Sequence, residues 1–417
     1  MALLSETLRE RGYVYQHSSE KLEEITDGPK RTLYLGIDPS ADSLQVGQLL
    51  GFLVLRRFLE DGHRVILVMG GGTGMIGDPG GRVSERVLLD AKTVQQNVEK
   101  IIEQVKRLFG SGDFTLVDNA EWLGALRMID FLRDVGKHFS VNTMLQRDFV
   151  KERIENVEQG ISYTEFSYAL LQAYDYFYLH EHEHCDVQVG GSDQWGNIVS
   201  GVDFIRRKTG DTVYALTWPL LINKATGKKF GKSEEGTIWL DPKKTSVFDF
   251  YQFWLGVEDE VVEGYLLALT MLPKIEIEAA LELHKRDPKE RHAQQLLARE
   301  VTTLTHGAEE AVRVEAVSQV LFGDTPISGL SDEAVQGLRE AAPVCDSREG
   351  VSIVDALVQS GLASSKREAR EFISKNAVEL NGVSVSDPEH ILTVEDFNRN
   401  TALLKRGKRS VCVLVKK

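Results

Sequence analysis

Three polar residues recur at helical spacing between residues 163 and 178. Tyr168, Gln172 and Asp175 are separated by four and then three positions. A helix would therefore place a phenol, an amide and a carboxylate on one face. The residues between 166 and 173 are otherwise mostly apolar and leave little room for a second polar face. A stripe that faces solvent is the ordinary alternative, but we interpret these side chains as the lining of a pocket.

A second polar cluster closes a short apolar segment. Gln188 lies in the apolar run Val187–Val189, and Asp193 and Gln194 follow in glycine-rich sequence that ends at Gly196. In open α/β sheets, ligands bind outside the carboxyl ends of the strands. The pattern therefore predicts that this cluster faces a ligand.

Residues 72–77 match the G-x-G-x-x-G fingerprint of dinucleotide-binding proteins. That fingerprint should open a helix whose N-terminus receives a pyrophosphate, whereas Asp78, Pro79 and two glycines follow at once here. We therefore favour a glycine-lined turn that presents Asp78 to a ligand over a nicotinamide or flavin site. A tight turn without a ligand is the third interpretation.

The lysine-rich segment Gly227–Ser233 is similar to the end of a phosphate-binding P-loop. Thr226 stands where that motif needs its first glycine, so the match is incomplete. Lys229 and Lys232 remain candidates for contacting a polyphosphate, because lysine ammonium groups act as point charges beside phosphate oxygens. A solvated run of charge is the plain alternative.

Three histidines and a cysteine, His180, His182, His184 and Cys185, suggest a metal site by their spacing. The two other cysteines are distant in sequence, and a catalytic zinc would need an open position in a pocket. We interpret this segment as an exposed helix end or loop.

The composition narrows the class of protein. Hydrophobic residues make up 42% of the 417 residues, which excludes a disordered or fibrous chain. The net charge of −14 argues against nucleic-acid binding over the whole surface, but residues 351–417 hold 11 Lys and Arg against 8 Asp and Glu, which allows local binding. No apolar run could span a membrane, and the N-terminal segment lacks a signal peptide's apolar core. With only three scattered cysteines, we expect a cytoplasmic protein.

The order of elements predicts an α/β fold with a doubly wound, Rossmann-like parallel sheet in residues 1–222. The expected strands are Thr32–Ile37, Arg64–Met69, Phe114–Val117 and Val187–Val189. The expected helices include Gly47–Glu60 and Thr93–Leu108. We further expect a loop and connection at 223–245, a helical domain at 246–322, a linker at 323–350 and a small α+β domain at 351–417. In this last domain we expect two helices, a turn at Asn381-Gly382 and a strand Val411–Val415.

Several long motifs together resemble those of bacterial-type tyrosyl-tRNA synthetases, which are class I aminoacyl-tRNA synthetases. The motifs are Tyr34–Leu49, Gly77–Pro79, Phe131–Asn142, Thr164–Asp175, Gly190–Asn197 and Lys229–Ser233. They occur in the family's order over essentially the whole chain, and residues 351–417 resemble an S4-like RNA-binding domain. The resemblance implies that a homodimer, with Phe131–Gln159 near its interface, activates L-tyrosine with ATP and Mg²⁺. The tyrosyl group then passes to the 3′ end of tRNA(Tyr), and a helical domain binds the anticodon arm.

The resemblance also implies roles for individual residues. Those that would bind tyrosine are Tyr34, Asp78, Tyr168, Gln172, Asp175, Gln188 and Gln194. Those that would bind ATP are Gly36, Asp38, Ser40, Gly47, Gly191, Asp193, Lys229, Phe230, Gly231, Lys232 and Ser233. Those that would stabilise the reacting phosphates are Gln45, Gln48, Arg82, Arg86, Lys229 and Lys232. Those that would bind RNA are Lys366, Arg367, Arg370, Lys405, Arg406, Lys408 and Arg409.

The first signature departs from the family pattern, because Gln45 and Gln48 stand where the family has histidines. A neutral amide donates to phosphate with similar reach but without charge, which would cost about 1–2 kcal/mol per contact. The pattern thus keeps open a catalytically weak or silent homologue that binds tyrosine or RNA. A nicotinamide dehydrogenase is a further alternative that rests on residues 72–77 alone.

Overall fold

The computed structural model describes residues 3–80, 88–110, 112–155, 160–221, 232–233, 236–323, 325–407 and 410–417. Contacts divide the chain into two compact units. One comprises residues 1–244 and 259–283, and the other residues 245–258 and 284–417. Among the described residues, no helix is both long and apolar enough to cross a membrane.

The first unit contains a six-stranded sheet. Its strands are β1 (Gln16–His17), β2 (Thr32–Ile37), β3 (Arg64–Met69), β4 (Thr115–Asp118), β5 (Cys185–Gly191) and β6 (Tyr214–Trp218). They are ordered β1-β6-β5-β2-β3-β4, and every pairing is parallel except that of β1 with β6. A two-stranded ribbon, β7 (Lys232–Ser233) and β8 (Gly236–Thr237), lies outside this sheet. The doubly wound parallel sheet is confirmed, and the four expected strands occur within three residues of their predicted bounds.

The order in which strands are added to the sheet reverses between β2 and β5, which are themselves parallel. From β2 the sheet grows through β3 to β4, and on the other side β5 continues to β6. β2 and β5 are paired directly, with Tyr34 opposite Gln188. Such a reversal leaves a crevice outside the carboxyl ends of the two strands, because their crossover helices pack on opposite faces.

Along the chain, helices precede, separate and follow the strands of this sheet up to residue 286. They are α1 (Leu4–Glu10), α2 (Glu23–Thr26), α3 (Leu49–Glu60), α4 (Ala91–Phe109), α5 (Ala120–Leu123), α6 (Met128–Asp134), α7 (Val141–Leu145), α8 (Asp148–Glu155), α9 (Tyr163–Glu183), α10 (Trp195–Lys208), α11 (Val247–Leu255), α12 (Asp259–Leu269) and α13 (Lys274–Arg286). Of these, α11 belongs to the second unit, as does the end of α13.

Helix α9 has well-defined ends. Ser162 caps its N-terminus by accepting a hydrogen bond from the Glu165 N–H at 3.3 Å. Glu165 also forms a buried ion pair with Arg153, at 2.8 Å, whose two side chains are 2% and 3% exposed. The helix ends at His184, which adopts a left-handed conformation with φ 53° and is exposed. The segment is an exposed helix end at His182 and His184, as predicted, whereas His180 is half-buried and Cys185 is buried at the start of β5.

The second unit joins a helical cluster to a five-stranded sheet. Its remaining helices are α14 (His292–His306), α15 (Ala308–Phe322), α16 (Asp332–Ala341), α17 (Ile353–Gln359) and α18 (Lys366–Ser374). Its strands are β9 (Val344–Ser347), β10 (Val378–Leu380), β11 (Val383–Ser384), β12 (Thr401–Arg406) and β13 (Ser410–Lys416), in the order β11-β10-β12-β13-β9. The turn at Asn381-Gly382 has φ values of 53° and 83°, as a tight two-residue hairpin requires.

The predicted linker at 323–350 is wrong as a description of that segment. It contains helix α16, and its strand β9 pairs in parallel with β13. Val317 and Val320 of α15 also form one apolar cluster with Leu338, Leu403 and Val413. The segment is therefore part of the second unit's core. The other domain boundaries remain predictions.

Candidate functional site

A cavity of about 370 Å³ opens outside the carboxyl ends of β2 and β5 in the first unit. It gathers every predicted tyrosine-binding residue, namely Tyr34, Asp78, Tyr168, Gln172, Asp175, Gln188 and Gln194. It is also lined by Gly36, Asp38, Ser40, Gln45, Gly47, Gln48, Gly191 and Asp193. The predicted residues Arg82, Arg86, Lys229, Phe230 and Gly231 lie outside the described part of the chain, as do the side chains of Lys232 and Ser233.

Asp175 lines a buried part of the cavity, which we call its deep end, and is 4% exposed. Its Oδ1 accepts a hydrogen bond from Trp122 Nε1 at 2.7 Å, and its Oδ2 accepts one from Asn119 Nδ2 at 2.9 Å. Burial raises the pKa of this carboxyl from its ordinary range to about 7, although both hydrogen bonds act in the opposite direction. The carboxylate is thus held by two donors and is almost fully shielded from water.

Tyr34 extends from β2 into the same end of the cavity and is 1% exposed. Burial, together with the neighbouring Asp175 carboxylate, holds the pKa of its phenol well above the ordinary value. Within the described part of the chain, Tyr34 Oη, Gln172 Oε1 and Gln188 Oε1 are buried without a hydrogen-bond partner. Unpaired buried polar atoms are costly, so their convergence here indicates a polar ligand.

A hydrogen-bonded chain of side chains links the carboxylates of Asp38 and Asp175, both of which line the cavity. Tyr168 Oη donates to Asp38 Oδ2 at 2.8 Å, and Thr73 Oγ1 donates to Asp38 Oδ1 at 2.8 Å. Asn119 Nδ2 in turn lies 2.9 Å from Thr73 Oγ1 as well as donating to Asp175. Burial and the adjacent Asp38 carboxylate hold the pKa of the Tyr168 phenol well above its ordinary value. The network fixes these side chains relative to one another.

Three members of this network were missed by reasoning from the sequence: Thr73, Asn119 and Trp122. Asn119 directly follows strand β4, so the rule that ligand-binding residues follow parallel strands points to it. Thr73 lies inside the glycine-rich segment, at a position that the fingerprint leaves open to any residue. No pattern in the sequence marks Trp122 as the partner of Asp175.

The glycine-rich segment forms a turn that presents Asp78. A single turn of 3₁₀ helix spans Thr73–Met75, and Gly77 has a φ of 79°. Asp78 Oδ1 accepts from the Gly80 N–H at 2.9 Å, while its Oδ2 accepts from Gln194 Nε2 at 2.6 Å. A turn that brings Asp78 into the cavity lining is confirmed, while binding of a ligand by Asp78 stays a prediction; the segment does not open a helix as the dinucleotide fingerprint requires.

The opposite end of the cavity is formed by residues 45–48, which lead into α3. Gly47 and Gln48 are exposed, and Gln48 Oε1 accepts from the Gln45 N–H at 2.9 Å. The Gln48 amide therefore turns its oxygen to the backbone and keeps its NH₂ group as a donor. One wall here is Trp218, at the end of β6, whose Cζ2 would lie only 2.6 Å from a Cβ at position 51. Gly51 is thus required by the indole.

Comparisons with known proteins agree along the whole chain. Residues 26–323 match the family model for class I tRNA synthetases of the tryptophan and tyrosine type, and residues 333–414 match the C-terminal domain of tyrosine–tRNA ligases. The tyrosine–tRNA ligase of Roseiflexus castenholzii is 46% identical over 419 residues, which is 98% of each chain. The chain belongs to the class I tyrosyl-tRNA synthetase family.

Other synthetases of this family are similar in sequence or fold. The tyrosine–tRNA ligase of Staphylococcus epidermidis is 45% identical over 97% of each chain. A C-terminally truncated mitochondrial tyrosyl-tRNA synthetase of Aspergillus nidulans superposes with a TM-score of 0.71 and 32% identity, over 77% of this chain and 95% of that one. The Archaeoglobus fulgidus tyrosyl-tRNA synthetase, solved with L-tyrosine, has a TM-score of 0.55 at 17% identity over 75% and 100%, which shows the shared fold alone. The alternative of a nicotinamide dehydrogenase is therefore wrong, because the chain belongs to a tRNA synthetase family.

The predicted RNA-binding residues of this synthetase are not equally accessible. Lys366, Arg367 and Arg370 are exposed on α18. Arg406 is half-buried and donates to the Leu362 carbonyl at 2.7 Å, and Lys405 is buried at 9% exposure. Lys408 and Arg409 lie outside the described residues. Helix α18 is therefore the accessible part of the predicted RNA surface.

Among described residues, no cluster of His, Cys, Asp and Glu could hold a metal ion.

Proposed function

We propose that the cavity joins L-tyrosine to ATP and then passes the tyrosyl group to the 3′ end of tRNA(Tyr). The observation that carries this proposal is the buried pair of Tyr34 and Asp175 at its deep end. A phenol is the ligand group that such a pair would bind, because a phenol O–H donates to a carboxylate and its oxygen accepts from a tyrosine hydroxyl. Asn119 and Trp122 would keep the Asp175 carboxylate aimed at this hydroxyl.

The polar groups above the phenol site would hold the α-amino and α-carboxylate groups of the substrate. Asp78, Tyr168 and Gln172 would receive the ammonium, since the carboxylate, the hydroxyl oxygen and the unpartnered Gln172 Oε1 all accept hydrogen bonds. Gln194, which already contacts Asp78 and Gln172, would approach the carboxylate. Gln188 would support the pocket from β5.

Catalysis at this site would need no protein nucleophile. The substrate carboxylate oxygen attacks the α-phosphorus of ATP, the bond from that phosphorus to the bridging oxygen breaks, and pyrophosphate leaves. A ribose hydroxyl at the tRNA 3′ end then attacks the carbonyl carbon of the adenylate and expels AMP. Orientation of the reactants and stabilisation of charge on the phosphates would supply the rate enhancement.

The nucleotide would bind along the exposed end of the cavity as its Mg²⁺ complex. Asp38 and Asp193 would lie along the ribose, and Gly36, Gly47 and Gly191 would admit the nucleotide close to the backbone. Ser40, Gln45 and Gln48 would donate to the triphosphate. Arg82, Arg86 and the segment Lys229–Ser233 would complete this charge stabilisation.

The active assembly would be a homodimer with Phe131–Gln159 near its interface. Exposed apolar side chains within this segment and just before it support this part of the proposal, since Val141 of α7 is 57% exposed and Met128 and Ile129 at the start of α6 are 73% and 72% exposed. A concentration series in analytical ultracentrifugation tests it, with Ile129→Glu as the disruptive variant. A monomer at all concentrations would contradict it.

Tyrosine-dependent exchange of labelled pyrophosphate into ATP tests the proposed reaction. The native protein should exchange label only when tyrosine is present. Binding of tyrosine without exchange would instead favour the catalytically silent homologue.

The role of helix α18 in tRNA binding is tested separately. Replacing Lys366, Arg367 and Arg370 together by glutamate should weaken charging of tRNA. Its salt dependence should become shallower, because fewer counterions are released on binding when phosphate contacts are lost. Exchange of pyrophosphate by the same variant is the internal control and should be unchanged. Normal charging would remove α18 from the RNA surface.

A further inference from the structure

On the C-terminal side of the pocket, the face of α9 that carries Asp175 continues with aromatic side chains. Asp175, Tyr178 and His182 follow each other at intervals of three and four residues, so they lie one above the other along the helix. Trp122 of α5 bridges the first two, because its indole N–H donates to Asp175 Oδ1 at 2.7 Å while its ring lies against Tyr178. The stripe that binds the substrate is thus joined to a stack of rings.

The three rings are nearly parallel. The centroids of Trp122 and Tyr178 are 4.5 Å apart with an interplanar angle of 14°, and those of Tyr178 and His182 are 4.1 Å apart at 18°. His182 Nδ1 lies 2.9 Å from the Tyr178 carbonyl oxygen, so this nitrogen carries the proton and the ring orientation is fixed. His182 is exposed, Tyr178 is half-buried and Trp122 is 6% exposed, so the stack leads from the surface to the pocket.

Trp122 needs support from outside its own element. Helix α5 spans only four residues, too few to hold a side chain rigidly by helical hydrogen bonds alone. Apolar packing in the core restricts the indole, and its one hydrogen bond sets only the N–H direction. Tyr178 is fixed by the long helix α9 and covers one face of the indole, which restricts rotation about that direction.

We propose that Tyr178 and His182 are positioning residues for the tyrosine pocket, because their stack holds the Trp122 indole N–H on Asp175. Neither residue lines the cavity; Tyr178 contacts the Trp122 indole directly, and His182 acts on it through Tyr178. The inference rests on the proposed function, in which Asp175 accepts the substrate phenol. A loosened indole leaves Asp175 with one firm donor in place of two and lets its carboxylate turn away from the phenol.

Kinetics of pyrophosphate exchange in full-length variants test the inference. Tyr178→Leu keeps apolar bulk but removes the stacked ring, and it should raise KM for tyrosine about 3- to 10-fold, as expected for loss of one aromatic pair. KM for ATP should stay within about 2-fold. Tyr178→Phe restores the ring and should restore KM. His182→Ala should raise KM for tyrosine about 2-fold, while His180→Ala, on the same helix but outside the stack, should leave it unchanged.

The pH dependence of tyrosine binding separates positioning from loss of packing. The charged groups that face Asp175 are the carboxylates of Asp38 and Asp118, and both raise its pKa, as burial does. Tyr34 and Tyr168 face it as neutral phenols. A weaker Trp122 hydrogen bond raises the pKa of Asp175 further. The rise of KM for tyrosine on acidification should therefore begin at a higher pH in Tyr178→Leu than in the native enzyme.

The possible results are distinguishable. An unchanged KM for tyrosine and an unchanged pH profile in a folded Tyr178→Leu variant, as judged by its thermal unfolding, would overturn the inference and leave the proposed function intact. Equal increases in KM for tyrosine and for ATP would also overturn it, since they indicate a general loosening. Absence of tyrosine-dependent exchange in the native protein would overturn the proposed function, and with it this inference.

Discussion

The two ends of the cavity are built in opposite ways. At the deep end, Tyr34 and Asp175 are buried, and Asp175 is held by two side-chain donors from α5 and the residue preceding it. At the outer end, Gly47 and Gln48 are exposed, and the Gln45 N–H donates to the Gln48 amide oxygen. One end is shaped by a side-chain network, whereas the other consists largely of backbone and a few amides.

This difference matches what each end has to do. A hydroxyl must be recognised in one fixed place, so its binding groups gain from being rigid and dry before the substrate arrives. Phosphate groups change charge and position during the reaction, so donors that face solvent can follow them. We expect changes at the deep end to alter affinity for tyrosine and changes at the outer end to alter the rate of adenylate formation.

Introducing histidine at both glutamine positions should have the largest effect. If the two contacts add and each is worth about 1–2 kcal/mol, Gln45→His with Gln48→His should speed adenylate formation about 30- to 1000-fold, and less if they act as a unit. Tyrosine affinity should hardly change, because the contacts form mainly in the transition state. Pre-steady-state measurement of adenylate formation is the test. Equal rates in the two proteins would mean that glutamine supports adenylate formation as well as histidine does.

Removing the Asp175 carboxylate should weaken tyrosine binding about 100-fold. The substrate hydroxyl would lose a charged, buried acceptor, which is worth up to about 3 kcal/mol. KM for ATP in Asp175→Ala serves as the control and should change little. Native affinity for tyrosine in this variant would place the phenol elsewhere in the cavity.

The same carboxyl should make the free enzyme less stable as pH rises. Asp175 has a pKa of about 7 when folded, above its ordinary value of 3.8, so between these values the folded chain binds the proton more strongly than the unfolded chain does. Stability is therefore lost as pH rises from about 4 to 7 and is level above that. Between pH 5 and pH 8 the loss should be about 2–3 kcal/mol. Urea unfolding of native enzyme and Asp175→Asn at both pH values measures it, and parallel changes in the two proteins would contradict it.

At the outer end, Gly51 and Trp218 should behave as a coupled pair. A side chain at position 51 would collide with the Trp218 indole, since its Cβ would come within 2.6 Å of Cζ2. Gly51→Val should therefore push the ring into the cavity and raise KM for ATP about 5-fold. Adding Trp218→Val should recover most of that loss. Additive effects in the double-mutant cycle would show that the two positions act independently.

Local patterns predicted much of the fold and part of the site. The spacing of Tyr168, Gln172 and Asp175 was sufficient because one helix carries all three. The partners of Asp175 were not predictable, since Asn119 and Trp122 are more than 50 residues away and meet it only through the sheet. Likewise, β9 pairs with a strand more than 60 residues later, so the sequence around it shows no periodicity that separates a strand from a linker.

The place of β13 in its sheet has a consequence for how the protein is made. β13 lies between β12 and β9, yet it follows both of them, and every other strand of that sheet, along the chain. During synthesis, β9 therefore emerges before its partner strand. Its backbone N–H and C=O groups stay unpaired with another strand until β13 has been translated. The second unit can close only after that point, whereas the six-stranded sheet of the first unit is complete as soon as β6 has left the ribosome. Translation that stops shortly before Ser410 would leave a finished cavity attached to an open sheet, with two strand edges available for aggregation.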